Sequence, residues 1–285
     1  IDVSNLTVEA TTADGTKFTV NVTPDMISGF DSSKLGKQTV TITLKGCTAT
    51  YSVEVKDVVV TELNVTADEL VDTIKGLTAG EYYSVKVSGI MTDEIMRDLL
   101  VEMEDYYGNN KDVARIALDL GNTTGLTYIN NSFYYCHGLT SIVFPEGLTS
   151  TPDFYDCSNL TSITIPASVQ RVGRISSCKK FTTFEVAENN EYFSTSDDGK
   201  ILYNKDKTVL ESYPSASGDV TILAGVTTIN SSAFNDCNSL TSVTIPDSVT
   251  TIDYYAFEDC KNLESVTIGS GVHYIVDNVF GGCGN

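Results

Sequence analysis

Over residues 1–57 apolar and polar positions alternate in short runs, LTVEA, FTVNV, QTVTITL and TATYSVEV, separated by the glycine-containing turns ADGT and LKGC. Period-two alternation broken by such turns predicts antiparallel strands packed as a sandwich. From residue 58 the period changes. LTAGEYYSVKVSG reads as a turn and then a strand, and Thr92 stands where it would cap TDEIMRDLLVEMEDYYG. In that segment Ile95, Leu99 or Leu100, and Met103 fall at helical spacing, and Asp93 and Glu94 occupy the first turn, where the helix dipole favours acids. ARIALDLG reads as the next strand. Residues 58–125 are therefore expected to be a strand–helix–strand cap over one end of the region beyond residue 125.

Residues 126–285 are repetitive. Cysteines at 136, 157, 178, 237, 260 and 283 close successive copies, and VTILAGVTTINSSAFNDC (220–237) aligns with VTIPDSVTTIDYYAFEDC (243–260) residue for residue. Leu240, Val243, Ile245, Val249, Ile252, Phe257 and Cys260 form the apolar set of one copy. A single copy cannot bury that set, whereas a stack of copies buries it continuously. The long interval between Cys178 and Cys237 reads as one further copy with Pro214 in the cysteine slot. That copy carries FSTSDDGKILYNKDKTVLESYP, a hairpin insertion near 190–214 turning at Asp198-Gly199.

These stretches carry two resemblances. IDVSNLTVEATTADGTKFTV and GFDSSKLGKQTVTITLKGCTATYSVEV resemble a bacterial immunoglobulin-like domain; such domains usually carry another strand before the position of Ile1, so either that strand lies outside this chain or the sandwich is open at one edge. LTSITIP, VTTI, and the AF pair ahead of a cysteine resemble the BspA-type leucine-rich repeat over roughly residues 126–283. The fold class expected is mainly β. It comprises an N-terminal immunoglobulin-like β-sandwich (1–57), a strand–helix–strand cap (58–125), and a right-handed leucine-rich-repeat solenoid (126–285).

Charge narrows the partners. The 285 residues carry a net charge of −20, and no segment has an excess of bases, which argues against nucleic acid and against anionic membrane surfaces. No run of eighteen apolar residues occurs, so no membrane span is expected. A start at Ile1 rather than Met fits an exported, processed chain or a trimmed one. Seven cysteines is an odd count. Equivalent residues on neighbouring coils lie ~4.8 Å apart and point the same way, a geometry unsuited to a disulfide. Zinc would want C-x₂-C pairs, which are absent, and His137, one residue beyond Cys136, should point away from it. The cysteines are expected to be buried free thiols, and no metal or cofactor is expected. SDDGK at 196–200 lacks the spacing and closing Glu of a calcium loop and reads as a turn. No nucleophile elbow, zinc-binding helix, phosphate loop or dinucleotide fingerprint appears, so no catalytic residue is assigned and the chain is not expected to be an enzyme.

Candidate binding residues are the strand positions flanking the inward apolar ones: Ser162, Thr164, Thr183, Glu185, Ser242, Thr244, Ser265 and Thr267, with Ser141 and Val143 on an earlier copy. The tyrosines sit in the return segments, and Tyr254 and Tyr255 complete the candidate set. The repeat resemblance implies an exported, cell-surface or extracellular recognition protein that binds a protein ligand, in particular a host extracellular protein. The alternatives are a structural spacer displaying another domain and a glycan-binding surface. Only Gly284 and Asn285 come after Cys283, without a polar cap of the kind solenoid ends need, so the last coil is expected to be frayed, covered or continued.

Overall fold

The computed structural model describes residues 7–11, 17–21, 27–28, 36–44, 47–55, 58–105 and 113–284. The chain divides into two compact units, Ile1–Val59 and Val60–Asn285. In the first unit, β1 (Thr7–Thr11) pairs antiparallel with β2 (Lys17–Asn21). A second antiparallel sheet has the order β3 (Ile27–Ser28), β4 (Gly36–Leu44), β5 (Cys47–Val55). On β4 the alternation does what it predicts: Val40 and Ile42 are buried while Thr43 is exposed. The ADGT turn and the Lys45-Gly46 step lie outside the described residues.

The second unit opens with two strand–helix steps. These are β6 (Val60–Thr66), α1 (Ala67–Lys75), β7 (Tyr82–Ile90), α2 (Asp93–Met103) and β8 (Arg115–Thr124). The three strands are parallel, β6 to β7 to β8. The cap thus holds one strand and one helix more than the sequence pattern predicts. The signal for α1 is local: the Glu69 carboxylate accepts from both the Thr66 N–H and the Thr66 hydroxyl, at 3.0 and 2.8 Å, a threonine and a glutamate three apart closing a helix start. Thr92 caps α2 as expected, accepting from the Ile95 N–H at 3.2 Å. The buried face of α2 runs through Met96, Leu99, Leu100 and Met103, with Ile95 only half-buried.

The coils continue through β9 (Phe133–Tyr134), β10 (Leu139–Val143), β11 (Phe154–Tyr155), β12 (Ser162–Ile165), β13 (Ile175–Ser176) and β14 (Thr183–Val186). The insertion comes next as β15 (Phe193–Thr195), β16 (Leu202–Asn204) and β17 (Val209–Ser212), an antiparallel meander rather than a single hairpin. The stack resumes with β18 (Ser217–Thr221), β19 (Thr228–Ile229), β20 (Ser239–Ile245), β21 (Thr251–Ile252) and β22 (Ser265–Ile268).

These strands form a parallel sheet of order β14-β12-β10-β8-β7-β6 and a separate one of order β18-β20-β22. The return segments form β13-β11-β9 and β15-β16-β17-β19-β21. The core divides in the same place. One buried apolar cluster runs from Ala67 to Leu202 and a second from Tyr203 to Val279. The stack predicted as continuous is therefore interrupted at the insertion, because β15–β17 occupy the position where the next coil would have paired.

Inside each section the phenylalanines stack, Phe133 on Phe154 at 4.9 Å and Phe234 on Phe257 at 4.6 Å between ring centroids. Leu240, Val243, Ile245, Val249, Ile252, Phe257 and Cys260 are all at most 1% exposed. In the β22 coil the pattern loosens: Val266 is half-buried and Ile268 is 39% exposed.

The residue in the cysteine slot of the inserted copy is Ala216, not Pro214. Its N–H donates to Tyr213 O, as Cys237 N–H donates to Phe234 O and Cys260 N–H to Phe257 O. Tyr213 packs on Phe234 at 5.7 Å, so it fills the phenylalanine position three residues ahead of the slot. Counting back to Pro214 misses the slot because this copy is two residues shorter between slot and strand than the next; the register shift between Gly218 and Asp219 absorbs one of the two. The slot takes a small side chain, which alanine also supplies.

The six repeat cysteines are free, and all but half-buried Cys283 are buried. Cys136 and Cys178 donate to Tyr134 O and Ser176 O on their own coil, and the other four thiols reach back to the previous coil. Cys157 donates to Phe133 O at 3.3 Å, Cys237 to Tyr213 O at 3.2 Å, Cys260 to Phe234 O at 3.1 Å and Cys283 to Phe257 O at 3.0 Å. The long C–S bond makes that reach; a serine hydroxyl on its shorter C–O bond would fall short. Cys260→Ser is therefore expected to cost about 1–3 kcal/mol for a buried, poorly bonded hydroxyl, read from urea unfolding. Titration of denatured, unreduced protein should count all six repeat thiols.

Five of these thiols are also held neutral. A neighbouring sulfur, then burial, pushes Cys136, Cys178 and Cys260 up, and burial first of all pushes Cys283 up to about 11. The flanking thiols would favour a thiolate at Cys157 by donating to it, but Cys157 itself donates to Phe133 O and so keeps its proton. Unfolded thiols ionise near ~8.5. Above that pH the unfolded chain releases protons that the folded chain retains, so the stability these groups contribute is complete below pH ~8.5 and falls as pH rises toward the folded values. Urea midpoints under reducing conditions should decline from about pH 8.5 upward, and decline less steeply in Cys260→Ala.

Candidate functional site

Parallel register sets the candidate strand residues side by side. Ser162 lies opposite Thr183 and Thr164 opposite Glu185, and the Thr164 hydroxyl donates to Glu185 Oε2 at 2.8 Å. In the second section Ser242 lies opposite Ser265 and Thr244 opposite Thr267. The two groups stand on different sheets. The free edge of β14 is taken by the turn of the insertion, where Phe184 N–H donates to Gly199 O at 2.8 Å. Gly199, at φ +72°, lies so close to Thr183 that an added Cβ would come within 2.9 Å of its methyl group, so only glycine fits.

Exposure separates the two groups. Ser162, Thr164 and Thr183 are half-buried, leaving Glu185 as the exposed member, whereas Thr244, Ser265 and Thr267 are exposed or nearly so and Ser242 is half-buried. Ser141 and Val143, on β10, are half-buried. The second section also contains a residue that sequence reasoning misses. Asp219 Oδ1 accepts from the Ser242 hydroxyl at 2.7 Å and from Thr241 Oγ1 at 3.2 Å. The alignment of Val220 with Val243, carried one residue back, is the signal that puts Asp219 opposite Ser242 on this strand face.

Tyr254 and Tyr255 form a third group. They come directly after Asp253 at the end of β21, which belongs to the return-segment sheet. Their rings lie 6.3 Å apart, and Tyr254 is 52% exposed. Tyr255 is half-buried and takes a left-handed backbone (φ +61°). On the earlier return segments Tyr134 and Tyr155 pair in register with rings 6.1 Å apart, and Tyr135 meets Tyr155 edge-on at 5.7 Å. Burial, then the Asp236 carboxylate, raises the Tyr155 phenol above its ordinary range.

His137 turns away from Cys136 as expected. Its Nδ1 meets the Ser158 hydroxyl at 3.0 Å, and its backbone carbonyl accepts from Asn159 Nδ2 at 2.7 Å. At the SDDGK turn, Asp198 is engaged locally. Its carboxylate accepts from Ser196 Oγ at 2.7 Å and from Lys200 N at 3.2 Å, and pairs with Lys200 Nζ at 3.2 Å. The Ser196 bond first, with the Lys200 contacts, holds the carboxyl below the usual range. Among the described residues no three His, Cys, Asp or Glu side chains gather as a metal-ligand set. No described helix is long and apolar enough to cross a membrane.

Comparison with known proteins places both units. Residues 1–55 match the bacterial Ig-like domain (group 3). Similar solved structures include a leucine rich cell surface protein from Faecalibacterium prausnitzii, at 21% identity over 99% of this chain and 79% of that one, with a TM-score of 0.42. A leucine-rich repeat protein from Eubacterium ventriosum is 19% identical over 70% of this chain and 71% of that one, with a TM-score of 0.39. The pneumococcal vaccine antigen PcpA is 16% identical over 86% of this chain and 71% of that one, with a TM-score of 0.40. No curated protein sequence matches. Residues 117–197 and 213–285 match the BspA type leucine rich repeat region in six copies, the same stretches that form the stacked coils, and the chain belongs to that family.

Proposed function

We propose that this is an exported, cell-surface recognition protein that acts by binding and not by catalysis, with an extracellular protein of the host as its partner. The observation that carries the reading is the β18–β20–β22 face. Three parallel strands, in register from Asp219 onward, present Asp219, Ser242, Thr244, Ser265 and Thr267 side by side, all exposed except half-buried Ser242. A row of hydroxyls with one carboxylate on a rigid sheet suits a broad, wet interface built from many modest hydrogen bonds. The chain's net charge of −20 favours a basic partner surface and makes association sensitive to salt. The half-buried β12–β14 group offers less, with Glu185 its accessible member. Membership of the BspA-type repeat family supports the surface location.

The test is a pull-down from host matrix proteins, followed by affinity measurements on Glu185→Lys and Thr244→Arg. Thr244→Arg is expected to weaken binding about ten-fold or more, the effect of disrupting a central contact, and Glu185→Lys to weaken it less. Added salt should weaken the unsubstituted protein as well. Unchanged affinity in both variants would remove the strand faces from consideration and direct attention to Tyr254 and Tyr255. Peptide or glycan hydrolysis by the purified protein, abolished by a point substitution, would overturn the binding reading.

A further inference from the structure

Where the return-segment ladder changes partners, a polar cleft opens. The β13-β11-β9 sheet stops at β13, and the next return sheet resumes at β17 and β19. On one side the two sections are tied together: the Ser176 and Ser177 hydroxyls meet Asp236 Oδ2 at 2.9 and 2.7 Å, and Ser176 also bonds Asn235. Beside that tie lies a cavity of about 250 Å³ whose polar lining includes Asp153, Arg174, Glu211, Asn230, Ser231 and Ser232.

Its origin is legible in the repeat alignment. Ser231 and Ser232 occupy the positions that Tyr254 and Tyr255 fill in the next copy, with Ile229 and Ile252 paired just ahead of them. Two rings are replaced by two hydroxymethyl groups, and both serines line the cleft. Ser232 keeps the left-handed backbone of its counterpart, φ +58° against +61°. Its N–H donates to Tyr254 O at 3.2 Å, yet its hydroxyl, in a residue only 3% exposed, has no hydrogen-bond partner. An unpartnered buried hydroxyl is a cost that folded proteins rarely leave standing without a reason. Opposite donors and acceptors are present. Glu211 accepts from Asn230 Nδ2 through one oxygen, Asp153 Oδ1 accepts from the Arg174 N–H at 2.8 Å, and the Arg174 side chain is exposed.

We propose that this cleft binds a single saccharide unit, a neutral polyhydroxylated ring of hexose size. The charge mixture selects for it: Arg174 opposes a cation, while Glu211 and Asp153 oppose an anion. Hydroxyls that both donate and accept can satisfy the guanidinium, the carboxylates and Ser232 together. The volume lies just below the ~300–1,000 Å³ of sites for drug-sized ligands, which limits the occupant to one small ring. The site is separate from the β18–β20–β22 face, so either reading can fail alone.

The experiment is saturation-transfer NMR of the full chain with methyl glycosides of common hexoses and N-acetylhexosamines at millimolar concentration, and with Nα-acetyl-lysine amide in a parallel arm. Transfer to at least one glycoside is expected. It should weaken about ten-fold in Glu211→Gln, as for loss of one hydrogen bond to a charged group, and vanish when Ser231→Tyr and Ser232→Tyr together restore the neighbouring copy's rings. The tyrosine pair already adopts this backbone one coil away, so that variant should keep the wild-type circular dichroism. Thr244→Arg should leave the transfer unchanged. No transfer to any glycoside, transfer that survives the double tyrosine variant, or transfer to the lysine probe alone would each overturn the proposal.

Discussion

Everything in the second unit depends on coils stacking in register. At the ~4.8 Å spacing of paired strands, each inward position must accept its own counterpart above and below, so one side-chain size and shape is repeated. Phenylalanine rings lie nearly parallel, at 13° for Phe133 on Phe154 and 15° for Phe234 on Phe257. Each buried slot at the end of a copy takes a cysteine or, once, an alanine. The residue just ahead of the slot is held left-handed in copy after copy, at Tyr135, Asp156, Ser177, Asp236 and Asp259. At Asp156, Asp236 and Asp259 its N–H donates to a carbonyl of the next coil. Strained backbone is tolerated there because that coil uses the turned N–H group.

The same constraint explains why the insertion matters so much. A solenoid transmits register only between neighbours, so three antiparallel strands between β14 and β18 break the sheet face, the apolar core and the return ladder together. The break separates the half-buried Ser162–Glu185 group from the more open Ser242–Thr267 group. It also leaves the cleft at Arg174, Glu211 and Ser232, where two sections meet through hydrogen bonds instead of a shared strand edge. At the break, side chains are released from filling the stack.

Much of the fold is legible residue by residue. The 220–237 and 243–260 stretches name their own inward positions, and the structure buries all of them. Thr92 and its helix, and the free thiols, come from local spacing and from the parallel geometry of neighbouring coils. The β6–α1 step escapes a reading by periodicity although Thr66 and Glu69 carry its signal, because a nine-residue helix makes too few turns to stand out. Pro214 takes the place of the true slot in the sequence count because the stretch between slot and strand is two residues shorter than in the next copy, one of them absorbed by a register shift between Gly218 and Asp219. A shift of that kind is a property of strand pairing and not of composition.

The sequence by itself determined the architecture: two kinds of unit, which side chains face inward, and a chain without a basic segment. Period and residue size are local properties, so the repeat announces both. Which outward residues share a surface was decided only in three dimensions. Strand neighbours twenty-one or more residues apart come together through pairing, and the turn at Gly199 closes against Thr183 and Phe184 at the edge of one group. The unpartnered hydroxyl of Ser232 belongs to the same class. Nothing in its own stretch marks it, since it becomes unusual only when the coil beside it belongs to a different ladder.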